Sequence, residues 1–109
     1  MNSKFRNMWP DTAKTEFDNG IEFIDIREEH EFAEARIPGS RWLPMSEIGR
    51  RMDELPGDRD VVIYCRTGSR SADLLTYLAS RGYSNLINLA GGIVAWNEEG
   101  YPVDSAKLE

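Results

Sequence analysis

The clearest structural signal in this chain lies in Val61-Val62-Ile63-Tyr64-Cys65-Arg66-Thr67-Gly68-Ser69-Arg70, which contains its only cysteine. The four residues before Cys65 form a compact apolar run, which is typical of a strand buried on both faces. The segment from Ser71 to Ala79 follows, and its leucines recur at helical spacing. The pattern predicts a strand, a short loop and a helix, with the cysteine where free backbone N–H groups converge.

Such a junction favours a thiolate at Cys65. A free thiol has a pKa of ~8.5, and a helix N-terminus contributes at most ~2 kcal/mol, so the helix alone lowers that pKa by roughly one unit or less. Donated N–H bonds and the charge of Arg66 or Arg70 must supply the rest. The alternative is an inert core cysteine, since free cysteines are often buried. A following glycine, serine and two arginines favour the reactive cysteine.

Length and hydropathy indicate one domain over residues 1–109, with a core of about 10–104. No apolar run approaches the ~20 residues of a membrane-spanning helix, so no membrane association is expected. No basic start followed by an apolar stretch indicates a signal peptide. A single cysteine excludes an internal disulfide and suits a reducing compartment, so a cytoplasmic location is expected.

The net charge of -6 argues against nucleic-acid binding, which requires a basic surface. One cysteine and one histidine cannot build a classical zinc site, so no metal is expected. Glycine-rich phosphate and dinucleotide motifs are absent from the sequence, and no cofactor is expected. Any oxidised or sulfur-loaded cysteine needs an external partner to discharge it, because the chain has no second cysteine.

The rest of the chain alternates strands and helices, which predicts a parallel α/β sheet covered on both faces. Ligands bind beyond the carboxyl ends of such strands, where Asp25–Arg27, the Cys65 loop and Ala90–Gly92 are expected. The expected strands are 21–26, 41–43, 61–64 and 86–89. The expected helices are 12–19, 28–35, 46–55 with Ser46 as its cap, 71–81 and 91–96.

Three motifs, in this order, resemble the signatures of rhodanese domains. The first combines Asp25-Ile26-Arg27-Glu28, Glu31-Phe32 and Ile37-Pro38-Gly39-Ser40. The second, resembling the active-site loop, is Cys65-Arg66-Thr67-Gly68-Ser69-Arg70-Ser71. The third combines Leu89-Ala90-Gly91-Gly92-Ile93-Val94-Ala95-Trp96 and Gly100-Tyr101-Pro102-Val103.

The resemblance implies a three-layer α/β domain, with a central, mainly parallel sheet of about five strands flanked by helices on both faces. It also implies a sulfurtransferase that moves a sulfane sulfur from a donor such as thiosulfate through a cysteine persulfide at Cys65. The acceptor would be cyanide, a thiol or an acceptor protein. One departure is Arg36, where the family often has histidine; it affects local packing or specificity more than chemistry.

Cys65 is the expected nucleophile. The extra sulfur is expected to lie in a cradle of N–H groups. Gly68 permits a tight loop there. Two arginines have alternative roles. Arg70 either frames the loop or pairs with an acid, which would be Asp25 or an acid on a helix. Arg66 either attracts an anionic donor or is a solvated surface residue. The cradle residues are Arg66, Thr67, Gly68, Ser69 and Arg70, and Ser69 is equally suited to capping the helix.

Supporting positions surround this loop. Asp25 and Arg27 are expected to form a structural ion pair, because charges that close a buried strand are usually paired. Gly91 and Gly92 are expected to let the chain turn close to Cys65. Three further residues are given structural roles: His30 on an exposed acidic helix, and Trp42 and Trp96 in the core or a pocket wall.

Two other functions fit parts of the pattern. Cysteine phosphatases and arsenate reductases also hold a thiolate in an N–H cradle, but five residues separate their cysteine from an arginine. Here four residues separate Cys65 from Arg70, and the smaller loop suits one sulfur atom better than a tetrahedral oxyanion. A catalytically idle binding or regulatory module is the other alternative, against which the retained cysteine and loop argue.

Overall fold

A central parallel sheet dominates residues 5–105, which are those that the computed structural model describes. Its order is β1-β6-β5-β2-β4, and β3 and β7 form a separate antiparallel pair. In chain order the strands are β1 (Arg6–Met8), β2 (Glu22–Asp25), β3 (Ala35–Arg36), β4 (Arg41–Trp42), β5 (Val61–Tyr64), β6 (Leu86–Leu89) and β7 (Asp104–Ser105).

Helices connect these strands and cover the sheet. They are α1 (Pro10–Asp18), α2 (Glu29–Glu34), α3 (Ile48–Arg51), α4 (Ser69–Ser80) and α5 (Gly92–Glu98). None of the helices within residues 5–105 is long and apolar enough to cross a membrane.

Both faces of the sheet carry a core, because side chains alternate along each strand. In β5, Val61 and Ile63 face one cluster, together with leucines of α4, while Val62 and Tyr64 face the other. The second cluster contains Ala13 of α1 and Trp96 of α5, together with the ring of Phe23. Five parallel strands between two helical layers confirm the predicted α/β fold class.

Several predicted boundaries were wrong. The expected helix over 46–55 is two 3-10 turns, Met45–Glu47 and Met52–Glu54, around the four-residue α3. Ser46 does not cap it; its hydroxyl donates to Glu28, and Pro44 precedes the first turn. The helix expected over 28–35 stops at Glu34, because Ala35 turns into the extended backbone of β3.

Three short strands went unpredicted, namely β1, β3 and β7. β1 has only three residues, and its ladder partner β6 lies about eighty positions away. The predicted domain limits at residues 1 and 109 lie outside the described residues.

Candidate active site

Three segments lie at the edge of the sheet formed by the carboxyl ends of its strands. Asp25 ends β2, Cys65 directly follows β5, and Ala90–Gly92 follow β6. They are the segments that the sequence placed at this edge. The loop from Cys65 to Gly68 runs from β5 into α4.

Gly68 makes the sharp turn at the start of α4. Its φ of +94° is left-handed, and it holds the N-cap position, so α4 begins at Ser69 without a side-chain cap. A Cβ here would lie 3.1 Å from the Gly91 nitrogen and 3.3 Å from the Leu89 oxygen. A side chain at this position is therefore disfavoured by both the backbone conformation and the packing.

The Cys65 sulfur faces the first turn of α4. Its Sγ accepts hydrogen bonds from the N–H of Gly68 at 3.2 Å and the N–H of Ser71 at 3.4 Å. The Ser71 hydroxyl lies 3.3 Å from Sγ. Cys65 is only 1% exposed, so these contacts are made away from bulk water.

Two opposing influences act on the Cys65 thiol. Burial raises its pKa, whereas the hydrogen bonds that the thiolate can accept from the Ser71 hydroxyl and from the N–H groups of Ser71, Gly68 and Thr67 lower it. The donated bonds outweigh burial, and the net pKa lies below that of an ordinary thiol. The arrangement therefore favours the thiolate, which is the nucleophilic form of cysteine.

Ser71 links the sulfur to a buried amide. Its hydroxyl donates to Asn88 Oδ1 at 2.5 Å, and Asn88 Nδ2 donates to Asn7 Oδ1 at 2.9 Å. Ser71 is fully buried and Asn88 is 3% exposed. Polar contacts thus run from Cys65 through α4 and β6 to the edge strand β1.

The guanidinium of Arg70 pairs with an acid on α2. Its Nη1 and Nη2 donate to the two carboxylate oxygens of Glu31 at 3.0 and 2.9 Å. The Arg70 hydrogen bond is the main reason why the pKa of Glu31 falls to about 2. Of the partners foreseen for Arg70, the helical acid is the one observed. Arg66 is exposed and lines the same cleft as Glu31.

Asp25 and Arg27 form the predicted ion pair. Arg27 donates to Asp25 from its backbone N–H at 2.9 Å, from Nε at 3.0 Å and from Nη2 at 2.7 Å. Their side chains are 0% and 6% exposed. Arg27 Nη2 also donates to the carbonyl of Ala35, which ties the end of β2 to the start of β3.

The first turn of α5 supports the Cys65 loop from the other side. The N–H of Ile93 donates to the carbonyl of Cys65 at 3.0 Å, and that of Val94 donates to the carbonyl of Arg66 at 3.1 Å. Gly91 is the N-cap of α5. The predicted close approach of the double glycine to the loop is therefore present.

Both the sequence and the fold of this chain match a known protein family. A family model described as the rhodanese-like domain matches residues 10–99, which include β2 to β6 and the Cys65 loop. The chain belongs to this family. A crystal structure of a rhodanese-related protein from Thermoplasma volcanium superposes with a TM-score of 0.82 and 31% identity, covering 91% of this chain and 97% of that one.

Two curated rhodanese relatives carry sulfurtransferase names. A sulfurtransferase of Allochromatium vinosum is 50% identical over 80 residues, covering 73% of this chain and 75% of that protein. The thiosulfate sulfurtransferase GlpE of Pseudomonas aeruginosa is 28% identical over 109 residues, covering 100% of this chain and 98% of its own length.

The rhodanese loop differs in part from the cradle expected from the sequence. Thr67 and Gly68 direct N–H groups toward the sulfur, as expected. Ser69 is exposed and does not cap α4, because Gly68 occupies the N-cap. Ser71 was missed, although it supplies both a hydroxyl and an N–H. A hydroxyl residue in the first turn after the loop was the available signal.

A cleft of about 300 Å³ opens beside the rhodanese loop. Two arginines and two glutamates contribute its charged wall, namely Arg27, Arg66, Glu31 and Glu34, and Ile93 and Val94 of α5 contribute apolar surface. Trp96 is fully buried in the core, which is one of the two places predicted for it, the other being a pocket wall. Trp42 stacks on Phe32 and donates to the carbonyl of Arg27, and His30 is exposed, as expected.

Proposed function

We propose that this rhodanese domain is a sulfurtransferase that moves a sulfane sulfur from a donor such as thiosulfate to cyanide, a thiol or an acceptor protein, through a persulfide on Cys65. The observation that carries the proposal is the pair of hydrogen bonds from the N–H groups of Gly68 and Ser71 that converge on the buried Sγ, with the Ser71 hydroxyl 3.3 Å away. The sulfurtransferase names of the two relatives support the same chemistry.

The first half-reaction loads the enzyme. The Cys65 thiolate attacks the outer sulfur of thiosulfate, a new S–S bond forms, and the donor's S–S bond breaks. Sulfite leaves with the bonding electron pair, and the persulfide keeps one negative charge. The N–H groups of Thr67, Gly68 and Ser71, which surround Sγ, are expected to stabilise the persulfide anion.

The second half-reaction unloads it. Cyanide attacks the outer persulfide sulfur, thiocyanate leaves, and the Cys65 thiolate returns with the electron pair of the broken S–S bond. No oxidant or reductant is consumed. Because these 109 residues contain one cysteine, the acceptor for the sulfur comes from outside the chain.

Arg66 is assigned the attraction of an anionic donor. Its exposed side chain lines the cleft beside the loop, whereas the charge of Arg70 is largely balanced by Glu31. An exposed guanidinium at a concave site raises the local concentration of anions such as thiosulfate. Arg70 and Glu31 then serve to join α2 to α4 at the mouth of the site.

Intact-protein mass spectrometry tests the proposal directly. Wild type treated with thiosulfate is expected to gain the mass of one sulfur atom, and excess cyanide or dithiothreitol is expected to remove it. Cys65→Ser is the matched control and is expected to gain nothing. Turnover of thiosulfate by wild type without any gain in mass would exclude the persulfide.

A further inference from the structure

The Ser71 hydroxyl lies between two groups that can both accept its hydrogen. Ser71 Oγ is 2.5 Å from Asn88 Oδ1 and 3.3 Å from Cys65 Sγ. A serine hydroxyl carries a single hydrogen, so it donates to one partner at a time. All three residues are buried, so water does not replace the missing donor.

The orientation of the Asn88 amide decides where that hydrogen lies. Asn88 Nδ2 faces two acceptors, Asn7 Oδ1 at 2.9 Å and the carbonyl of Gly68 at 3.5 Å. Its Oδ1 therefore faces Ser71, and an amide oxygen only accepts. The 2.5 Å contact holds the Ser71 hydrogen, and the hydroxyl turns a lone pair toward Sγ.

This arrangement fits the protonated thiol, which donates its own hydrogen to Ser71 Oγ. When the thiol ionises, two acceptors face each other unless the hydroxyl rotates and gives its hydrogen to the thiolate. That rotation breaks the bond to Asn88. Asn88 and the Cys65 thiolate thus compete for one hydrogen.

We propose that Asn88 is a positioning residue that withholds the Ser71 hydroxyl from the Cys65 sulfur and thereby sets the pH range in which Cys65 reacts. The inference rests on the proposed function in that it takes Cys65 as the nucleophile. It assigns to a buried amide of β6, held by Asn7 of β1, the control of a thiol that directly follows the neighbouring strand β5.

Other charges at this edge stay constant when Asn88 changes. Arg70 of α4 acts on the Cys65 charge and is paired with Glu31 of α2, and Asp25 is paired with Arg27 after β2. Exposed Arg66 belongs to the loop itself, and the first turn of α5 meets the loop through backbone amides. A shift on changing Asn88 therefore reports on its own hydrogen bonds, and removing the Ser71 hydroxyl separates the bond to Ser71 from the contact with the Gly68 carbonyl.

A double-mutant cycle tests the competition, with the rate of iodoacetamide alkylation measured against pH. Asn88→Leu removes the acceptor at similar size and is expected to lower the midpoint by about half a pH unit, roughly the effect of one neutral hydrogen bond. Ser71→Ala is expected to raise it. In the Ser71→Ala background, Asn88→Leu is expected to leave the midpoint unchanged, because no hydroxyl remains to be released.

Two further variants keep the test decisive. Asn7→Ala removes the exposed anchor of the Asn88 amide without altering the core, so it also serves if Asn88→Leu does not fold. It is expected to lower the midpoint of alkylation by less than Asn88→Leu does. Asn85→Leu is the matched control. Asn85 lies just before β6, and its side-chain amide donates to the carbonyls of Pro56 and Arg59, so losing those hydrogen bonds is expected to leave the midpoint of alkylation unchanged.

The inference is overturned if the midpoint stays put in Asn7→Ala and in any folded Asn88→Leu protein. It is also overturned if Asn88→Leu shifts the midpoint equally with and without the Ser71 hydroxyl. Alkylation requires no sulfur donor, so the two proposals fail separately: absent persulfide mass defeats the sulfur transfer, and an unmoved midpoint defeats the role of Asn88.

Discussion

Gly92 lies so close to the carbonyl of Arg66 that a Cβ built on Gly92 would come within 2.2 Å of that oxygen. The same Cβ would lie 2.7 Å from the carbonyl oxygen of Cys65. Both atoms belong to the backbone of the Cys65 loop, which cannot move aside without moving the sulfur. The φ of Gly92, +63°, adds a left-handed conformation that other residues adopt at a cost.

Gly92→Ala is therefore expected to damage both stability and activity. The left-handed backbone costs about 1–2 kcal/mol and overpacking about 1–3 kcal/mol more. Gly100→Ala is the matched control, because Gly100 has a φ of +82° but nothing within 4 Å of its Cβ position. Thermal melting and thiosulfate turnover compare the two. Equal losses in both variants would mean that the contact with Arg66 has no effect.

The Glu31–Arg70 pair gives a pH-dependent contribution to stability. Glu31 has a pKa of about 2 in the folded protein against an ordinary 4.5, chiefly because of the Arg70 hydrogen bond. A depressed folded pKa adds stability that is complete above pH 4.5 and is lost as the pH falls toward 2. Arg70 is 39% exposed, so solvent screening limits the pair to about 1 kcal/mol.

Glu31→Gln is expected to lower the free energy of unfolding by that amount at pH 7 and to match wild type near pH 2. Glutamine keeps the hydrogen bond to the backbone N–H of Glu28 that completes the capping box, so the change isolates the charge. Denaturant unfolding at several pH values measures the difference. A gap between the two proteins that persists unchanged at pH 2 would contradict this assignment.

Breaking the buried Asp25–Arg27 pair is expected to lower the free energy of unfolding by more than breaking the Glu31–Arg70 pair does. Asp25→Ala leaves the Arg27 guanidinium buried without its carboxylate, and breaking a buried pair costs about 3–5 kcal/mol. Asp58→Ala, which breaks the exposed pair with Arg59, is expected to change stability by less than about 1 kcal/mol. Urea unfolding of both variants decides the ranking, and similar small losses would contradict it.

Local sequence patterns predict most of the strands and helices of the fold. The apolar run of β5, the mainly apolar β6, the segment 21–26 around β2 and the helically spaced leucines of α4 are each patterns within one short segment, so the sequence alone predicts these elements. Arg6-Asn7-Met8 has no such pattern, and it becomes a strand only because β6 offers an unpaired edge and Asn88 a side-chain partner. Strands formed by tertiary pairing leave no local signal.

The candidate site could be predicted from the sequence only where its residues belong to one short segment. Cys65 and Gly68 lie in one short loop, whereas the role of Ser71 depends on how tightly that loop curls beneath the helix. Glu31 is one of several acids around α2, and sequence spacing does not show which of them faces Arg70. Contacts between separate elements required the structure.

The size of the loop predicts which chemistry the site performs. Four residues separate Cys65 from Arg70, and the N–H groups of Gly68 and Ser71 already converge on the Cys65 sulfur. A transferring phosphoryl group carries three equatorial oxygens and needs a wider ring of donors. Wild type is therefore expected to turn over thiosulfate and to show negligible hydrolysis of aryl phosphates.

Inserting one glycine after Gly68 is expected to widen the ring and to reduce sulfur transfer at least tenfold, about 1.4 kcal/mol of transition-state stabilisation. It is not expected to create a phosphatase. Among residues 5–105, the groups within hydrogen-bonding distance of Sγ are the N–H groups of Gly68 and Ser71 and the Ser71 hydroxyl, and none of these is an acid that could protonate the leaving group. Paired assays with thiosulfate and an aryl phosphate, after melting curves show that both proteins are folded, test this. Efficient phosphate hydrolysis by wild type without thiosulfate turnover would favour the phosphatase instead.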